Sequence, residues 1–127
     1  MSSYPYQGAA FLADYMDGPH LVVVMNDPDS DGLCLLVMVS TIYPDRKHDP
    51  ACLLEGADHS FITRPSYVVY ARANYALGRH IANMVDKKLY VPRDDITATV
   101  FQRIADGIFK SDNSAGSLIK YAEKQKI

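Results

Sequence analysis

Leu21-Val22-Val23-Val24-Met25, then Asn26-Asp27-Pro28-Asp29-Ser30-Asp31-Gly32, then Leu33-Cys34-Leu35-Leu36-Val37-Met38-Val39-Ser40-Thr41: this stretch decides the fold. The first run is short, β-branched and apolar at every position, the pattern of a strand covered on both faces. Every residue from Asn26 to Gly32 favours a turn, through side-chain bonds to its own backbone, a fixed φ or freedom to take positive φ. The second run is again apolar on both faces until Ser40. Two such runs across a loop ending in glycine predict a β-hairpin.

Upstream, Met1 to Gly8 reads as a loosely held terminus and Ala9 to Met16 as a weakly patterned strand, broken by Asp17-Gly18-Pro19. Downstream, Ile42 to Pro50 reads as a polar loop, Ala51 to Leu54 as a short strand, Glu55 to Asp58 as a turn, and His59 to Thr63 as another short strand ended by Arg64-Pro65. Ser66 to Ala73 is predicted as one strand, with Tyr67, Val69 and Ala71 on one face and Ser66, Val68, Tyr70 and Arg72 on the other.

Beyond Ala73 the period changes. Asn74 to Lys88 is ambiguous: Ile81, Met84 and Val85 have helical spacing, and Leu89-Tyr90-Val91 returns to strand character. Ile96, Val100, Phe101, Ile104 and Ile108 fall on one helical face, with Asp94 or Asp95 as N-cap and Gly107 as a weak point near the end. Ser114 to Lys124 predicts a last helix with Leu118, Ile119 and Ala122 inward. Strands at short spacing followed by helix indicate α+β, or a small antiparallel β-barrel of five or six strands with C-terminal helices. The expected organisation is a single domain over residues 1–127, barrel about 9–73 and a mixed or helical part about 74–127.

The 127 residues are enough for one domain with its own core. Thirteen Lys and Arg against 15 Asp and Glu leave a net charge of −2, so no basic excess advertises nucleic acid, although a local patch is compatible with that sum. Cys34 and Cys52 lie in or at the start of apolar runs, which predicts two buried thiols rather than a disulfide framework or zinc site. No targeting leader is read in the first ten residues. The longest apolar run, Leu33 to Val39, is far short of the roughly 20 residues of a membrane helix, so a cytoplasmic protein without membrane contact is expected.

No P-loop, dinucleotide fingerprint, metal-ligand spacing or nucleophile elbow occurs, and no cofactor is expected. Three groups of residues remain as candidates. His20 stands where a strand leaves a turn, either lining a site or simply at the surface. Ser40 and Thr41 put one hydroxyl on each face of a strand end, where one could hold a phosphate oxygen or satisfy the local backbone. Asp58-His59-Ser60 is followed by Arg64; adjacent strand residues point to opposite faces, so Asp58 need not orient His59 and a structural turn is the competing reading. Arg64 and Arg72 could grip a phosphate bidentately. Nine tyrosines and no tryptophan suggest base stacking at exposed positions; Tyr67 is expected in the core, and Tyr70 is either core or a stacking surface.

The order of parts from Pro19 to Ala73 resembles the MazF/PemK-like toxin family of small SH3-like barrels. The likeness is carried by Pro19-His20-Leu21-Val22-Val23-Val24, the turn ending at Gly32, the strand ending in Ser40-Thr41, Ala51-Cys52-Leu53-Leu54, the turn through Gly56 and the strand from Ser66 to Arg72. It covers less than half of the chain. The resemblance implies a metal-independent endoribonuclease in which a ribose 2′-hydroxyl attacks the adjacent phosphate, with Thr41 matching the family's threonine and His20 standing where the family has arginine. It also implies single-stranded RNA as substrate, an antitoxin partner and a homodimer. His20 and Thr41 are thus the candidate catalytic residues, and Ser40, His59, Arg64, Tyr70 and Arg72 the candidate substrate-binding ones. The competing expectation is a non-catalytic barrel that presents loops 26–32 and 42–50 to a protein partner.

Overall fold

A computed structural model of the chain describes residues 4–15 and 17–127. Its strands are β1 (Ala10–Tyr15), β2 (Gly18–Val24), β3 (Leu33–Thr41), β4 (Leu53–Leu54), β5 (Ser66–Val68), β6 (Asn74–Leu77) and β7 (Tyr90–Arg93). The helices are α1 (Gly78–Asp86), α2 (Ala98–Lys110) and α3 (Gly116–Lys124). The class is α+β, as the sequence predicts.

The hairpin is present. β2 and β3 pair antiparallel with Leu21 opposite Val39 and Val24 opposite Leu36. Its loop is organised by two side chains. Asn26 is buried, accepts from the Leu35 N–H at 2.7 Å and donates to the carbonyls of Asp27 and Leu33. Asp29 accepts from the N–H groups of Asp31 and Leu33, and Gly32 takes φ +83°, a region that favours glycine.

The sheet runs in the order β4-β5-β3-β2-β1-β7, with β6 also paired to β3. It is an open antiparallel sheet rather than the expected closed barrel: the path ends at β4 and β7. The outer edge of β3 is shared. Its C-terminal residues Val39 to Thr41 pair with β5, and its N-terminal residues Leu33 to Leu36 pair with β6. The expected single strand from Ser66 to Ala73 is therefore two strands separated by a 3-10 turn at Tyr70–Arg72.

Both faces of the central strands are covered, which explains their uniform apolarity. Leu21, Val23, Leu35, Val37 and Val39 pack with Val100, Ile104 and Ile108 of α2 and with Leu118 and Ala122 of α3. Phe11, Val22, Val24, Leu36 and Met38 pack on the other side with Ile81 of α1. Each fully buried Leu or Ile contributes about 1.5–3 kcal/mol of transfer free energy, so the alternation of β2 and β3 secures a helix to each face.

Other expectations move. His59 to Thr63 is not a strand; it follows a 3-10 turn at Gly56–Asp58 and holds a turn at Ser60 and Phe61. β2 begins at Gly18, so the glycine and proline of the expected break lie inside the strand. The N-cap of α2 is Thr97, whose hydroxyl accepts from the Val100 N–H, not Asp94 or Asp95. The terminus is tied down from Tyr4 onward: the Gly8 N–H donates to Val24, Gly8 accepts from the Ile96 N–H, and Tyr6 donates to Asp95. Met1 to Ser3 and Met16, which the sequence puts in the terminus and in the first strand, lie outside the described residues.

Candidate functional site

At the end of the β2–β3 hairpin away from its loop, the sheet and the segment 60–66 enclose a cleft of about 520 Å³. Of the sequence candidates, His20, Ser40, Thr41 and Arg64 line it. Asp17, Thr63 and Arg93 add to its polar wall, with Tyr43, Ser60 and Ser66 also lining it. β-pairing assembles the group: Thr41 lies opposite Ser66, and Arg93 reaches the cleft because β7 pairs with β1, Arg93 opposite Ala10.

Strand alternation divides these side chains between two faces. Thr41 shares the parity of Val39 and Val37, on the α2–α3 face. His20 shares that of Val22, on the α1 face. The His20 ring is then drawn to the strand end by two bonds. Its Nδ1 lies 3.0 Å from the Val39 carbonyl and its Nε2 2.8 Å from an Asp17 carboxylate oxygen. Both partners are acceptors, and a neutral ring can donate to only one of them. The hydrogen bond from His20 holds the Asp17 carboxyl below the usual aspartate range. The Tyr15 ring stands edge-on to His20, centroids 5.5 Å apart.

The rest of the wall is chemically open. Among the described residues, the side chains of Ser40, Thr41, Thr63 and Arg64 have no hydrogen-bond or ion-pair partner. Arg93 sits over the Phe61 ring at 5.4 Å, a contact that leaves its N–H fork free for an anion. Two guanidiniums and three hydroxyls around one cleft are donors of the kind that bind oxyanions.

The remaining candidates lie elsewhere. His59 is buried and structural. Its Nε2–H donates to the Asp94 carbonyl at 2.7 Å, and its Nδ1 accepts from the Phe61 N–H at 3.0 Å, so neither nitrogen is left for a substrate. Asp58 does not orient it: that carboxylate pairs with Arg103 at 2.8 Å and accepts from the Glu55 N–H. Tyr70 is 1% exposed, and its hydroxyl donates to the Ile104 carbonyl at 2.7 Å, so its ring cannot stack a base. It keeps the face of its same-parity neighbour Val68, in the core with Ile104 and Ile108 of α2. Tyr67, expected in the core, is half-buried beside His48. Arg72 is exposed outside the cleft, within electrostatic reach of Asp17 and Tyr15.

Arg93 and Asp17 escaped the sequence reading. Nothing local marks Arg93, because only the long-range β1–β7 pairing brings it here. Asp17 carried a signal, a carboxylate three residues before a histidine across a tight turn. Among the described residues no group of three or more His, Cys, Asp or Glu could hold a metal ion, and no helix is long and apolar enough to cross a membrane. The sequence matches no protein-family model and no curated protein.

Proposed function

We propose that the cleft binds a phosphodiester of single-stranded RNA and cleaves it without a metal, in the manner of the MazF/PemK-like toxins. The observation that carries this reading is the convergence of Arg64, Ser40, Thr41 and Thr63, whose side chains are unpartnered among the described residues, with Arg93 over the Phe61 ring and His20 bonded at both nitrogens. On this reading the strands from β1 to β5 stand for that family's SH3-like barrel, splayed open by β6, α1 and β7. An antitoxin and a second copy of the chain are the corresponding partners.

The chemistry follows from the donors. Arg64 and Arg93 offset the charge that grows on the phosphorane, and the hydroxyls orient its oxygens. The incoming phosphate takes over Nε2 of His20 from the exposed Asp17. The imidazolium then protonates the leaving 5′-oxygen. Asp17, released at the cleft mouth, accepts the proton of the attacking 2′-hydroxyl. The products are a 2′,3′-cyclic phosphate and a free 5′-hydroxyl.

A second reading, a non-catalytic module that binds a protein, draws on the same histidine: with both ring nitrogens held by Asp17 and Val39, His20 presents no free base. Loop 42–50, where Arg46 lies 5.0 Å over the exposed Tyr43 ring, would be its contact surface.

Incubation of the purified protein with mixed RNA in EDTA, with product ends mapped, tests both. The nuclease reading expects cyclic-phosphate ends and a loss of about 10²–10⁴-fold in rate for His20→Ala. It also expects weaker binding and a shallower salt dependence for the double variant Arg64→Ala/Arg93→Ala, by roughly 0.7 in slope for each phosphate no longer neutralised. Cleavage undiminished in His20→Ala and Thr41→Ala overturns the assignment. RNA left intact and unbound, with a stable protein complex recovered, favours the second reading.

A further inference from the structure

The opposite face of the sheet carries a hollow that the cleft does not use. Between β1, β6, β7 and α1 lies a depression of about 380 Å³, at the lower end of the roughly 300–1,000 Å³ of small-molecule sites. Phe11, Val22 and Leu36 form its floor and belong to the core under α1, whereas Leu21 and Val39 of the cleft belong to the core under α2 and α3. Its rim is made by Tyr15, Asn74, His80 and Tyr90.

This rim is aromatic and preorganised. The Tyr90 ring stacks on Phe11 with centroids 4.4 Å apart and planes at 19°. The His80 ring meets Tyr90 edge-on at 6.4 Å. Tyr15 is 42% exposed. Among the described residues, the polar side-chain atoms of Tyr15, Asn74, His80 and Tyr90 make no hydrogen bond. An apolar floor with several convergent, unsatisfied polar groups is the usual composition of a ligand site.

The chemistry of the rim narrows the ligand. Flat side-chain rings accept a flat heteroaromatic ring, and an Asn amide offers a donor and an acceptor that match the edge of a nucleobase. Arg72, two residues before Asn74, is exposed, has no ion-pair or hydrogen-bond partner among the described residues, and lies close enough to Tyr15 and Asp17 to act on them electrostatically. A cation beside an aromatic slot selects an anionic ligand over a neutral one.

We propose that this hollow is a mononucleotide site, with the base against Tyr15 and Tyr90, its edge on Asn74 and its phosphate on Arg72. The inference does not rest on the nuclease reading: the two sites share no lining residue, although the rim's Tyr15 touches His20 of the cleft.

The test is an amide NMR titration of the full chain with adenosine 5′-monophosphate, adenosine and inorganic phosphate as separate probes. The mononucleotide is expected to shift Tyr15, Asn74, His80 and Tyr90, adenosine to shift the same group more weakly, and phosphate alone to leave it unmoved. Asn74→Ala and Tyr15→Leu, both at exposed positions, should each weaken mononucleotide binding about tenfold, the first by loss of a base-edge hydrogen-bond pair and the second by loss of a base-stacking side chain. Arg72→Ala should bring the mononucleotide down to the affinity of adenosine. Arg64→Ala/Arg93→Ala should leave this binding unchanged while abolishing any RNA binding at the cleft, so failure of one site is separable from failure of the other. Shifts confined to the cleft, or parent-like affinity in Asn74→Ala and Tyr15→Leu with their spectra otherwise folded, overturn the proposal.

Discussion

Replacing Gly107 with alanine inverts the ordinary rule for helices. In an exposed helix this change stabilises by about 1 kcal/mol, because glycine loses more backbone entropy than alanine. Gly107 is inside α2, buried, and faces Tyr70. A Cβ built there overlaps the Tyr70 hydroxyl and comes within 2.7 Å of its Cζ. Tyr70 cannot withdraw freely, since it is 1% exposed and its hydroxyl is held by the Ile104 carbonyl. Overpacking costs about 1–3 kcal/mol. Leaving the displaced phenol buried without its acceptor costs about 1–3 kcal/mol more. Against the helical gain of about 1 kcal/mol, the net destabilisation centres on about 3 kcal/mol. Urea unfolding followed by far-ultraviolet circular dichroism measures it as a lower midpoint at unchanged slope. Tyr70→Phe removes the overlapping hydroxyl, so Gly107→Ala should cost at least about 1 kcal/mol less in that background than in the parent. A parent background in which Gly107→Ala raises the midpoint would refute the packing of Tyr70 against α2, and with it the route by which the 3-10 turn enters the core.

Two further outcomes follow from buried and paired groups. The hydrogen bond from Arg103 holds the Asp58 carboxyl below the usual aspartate range. Its contribution is therefore complete above the unfolded aspartate value of about 4 and is lost as pH falls through the lower folded value. Asp58→Asn should lower stability near neutrality and flatten the acid limb of a stability–pH profile, and an unchanged acid limb would show the pair to be energetically silent. Burial pushes the Cys34 thiol up to about 11 and the Cys52 thiol upward as well. At pH 8 neither should react with a thiol-exchange reagent in the folded protein, and both should react in urea; fast reaction of either thiol in the native state would contradict its burial.

Local pattern carried the hairpin. Apolar residues at consecutive positions of Leu21 to Met25 and Leu33 to Val39 require burial on both faces, and the turn chemistry of Asn26 to Gly32 requires a reversal between them. The helical spacing of Val100, Ile104 and Ile108 marked α2 for the same reason: periodicity is a property of neighbours in the chain. His20, Ser40, Thr41 and Arg64 were legible because strand ends and loops beside a sheet gather polar groups. Tertiary structure alone decided the rest. The open sheet depends on which strands pair across long separations, and residues 74–77 join the β3 edge only because β5 stops after Val68. Tyr70 is core, and Gly107 has no room for a Cβ, because α2 packs over the Val68 face of the sheet. Arg93 entered the cleft through the β1–β7 ladder, a pairing that no residue near Arg93 announces. Chain-local free energies fix the menu of elements; the choice among pairings is made by burial of whole faces, which exists only once the faces meet.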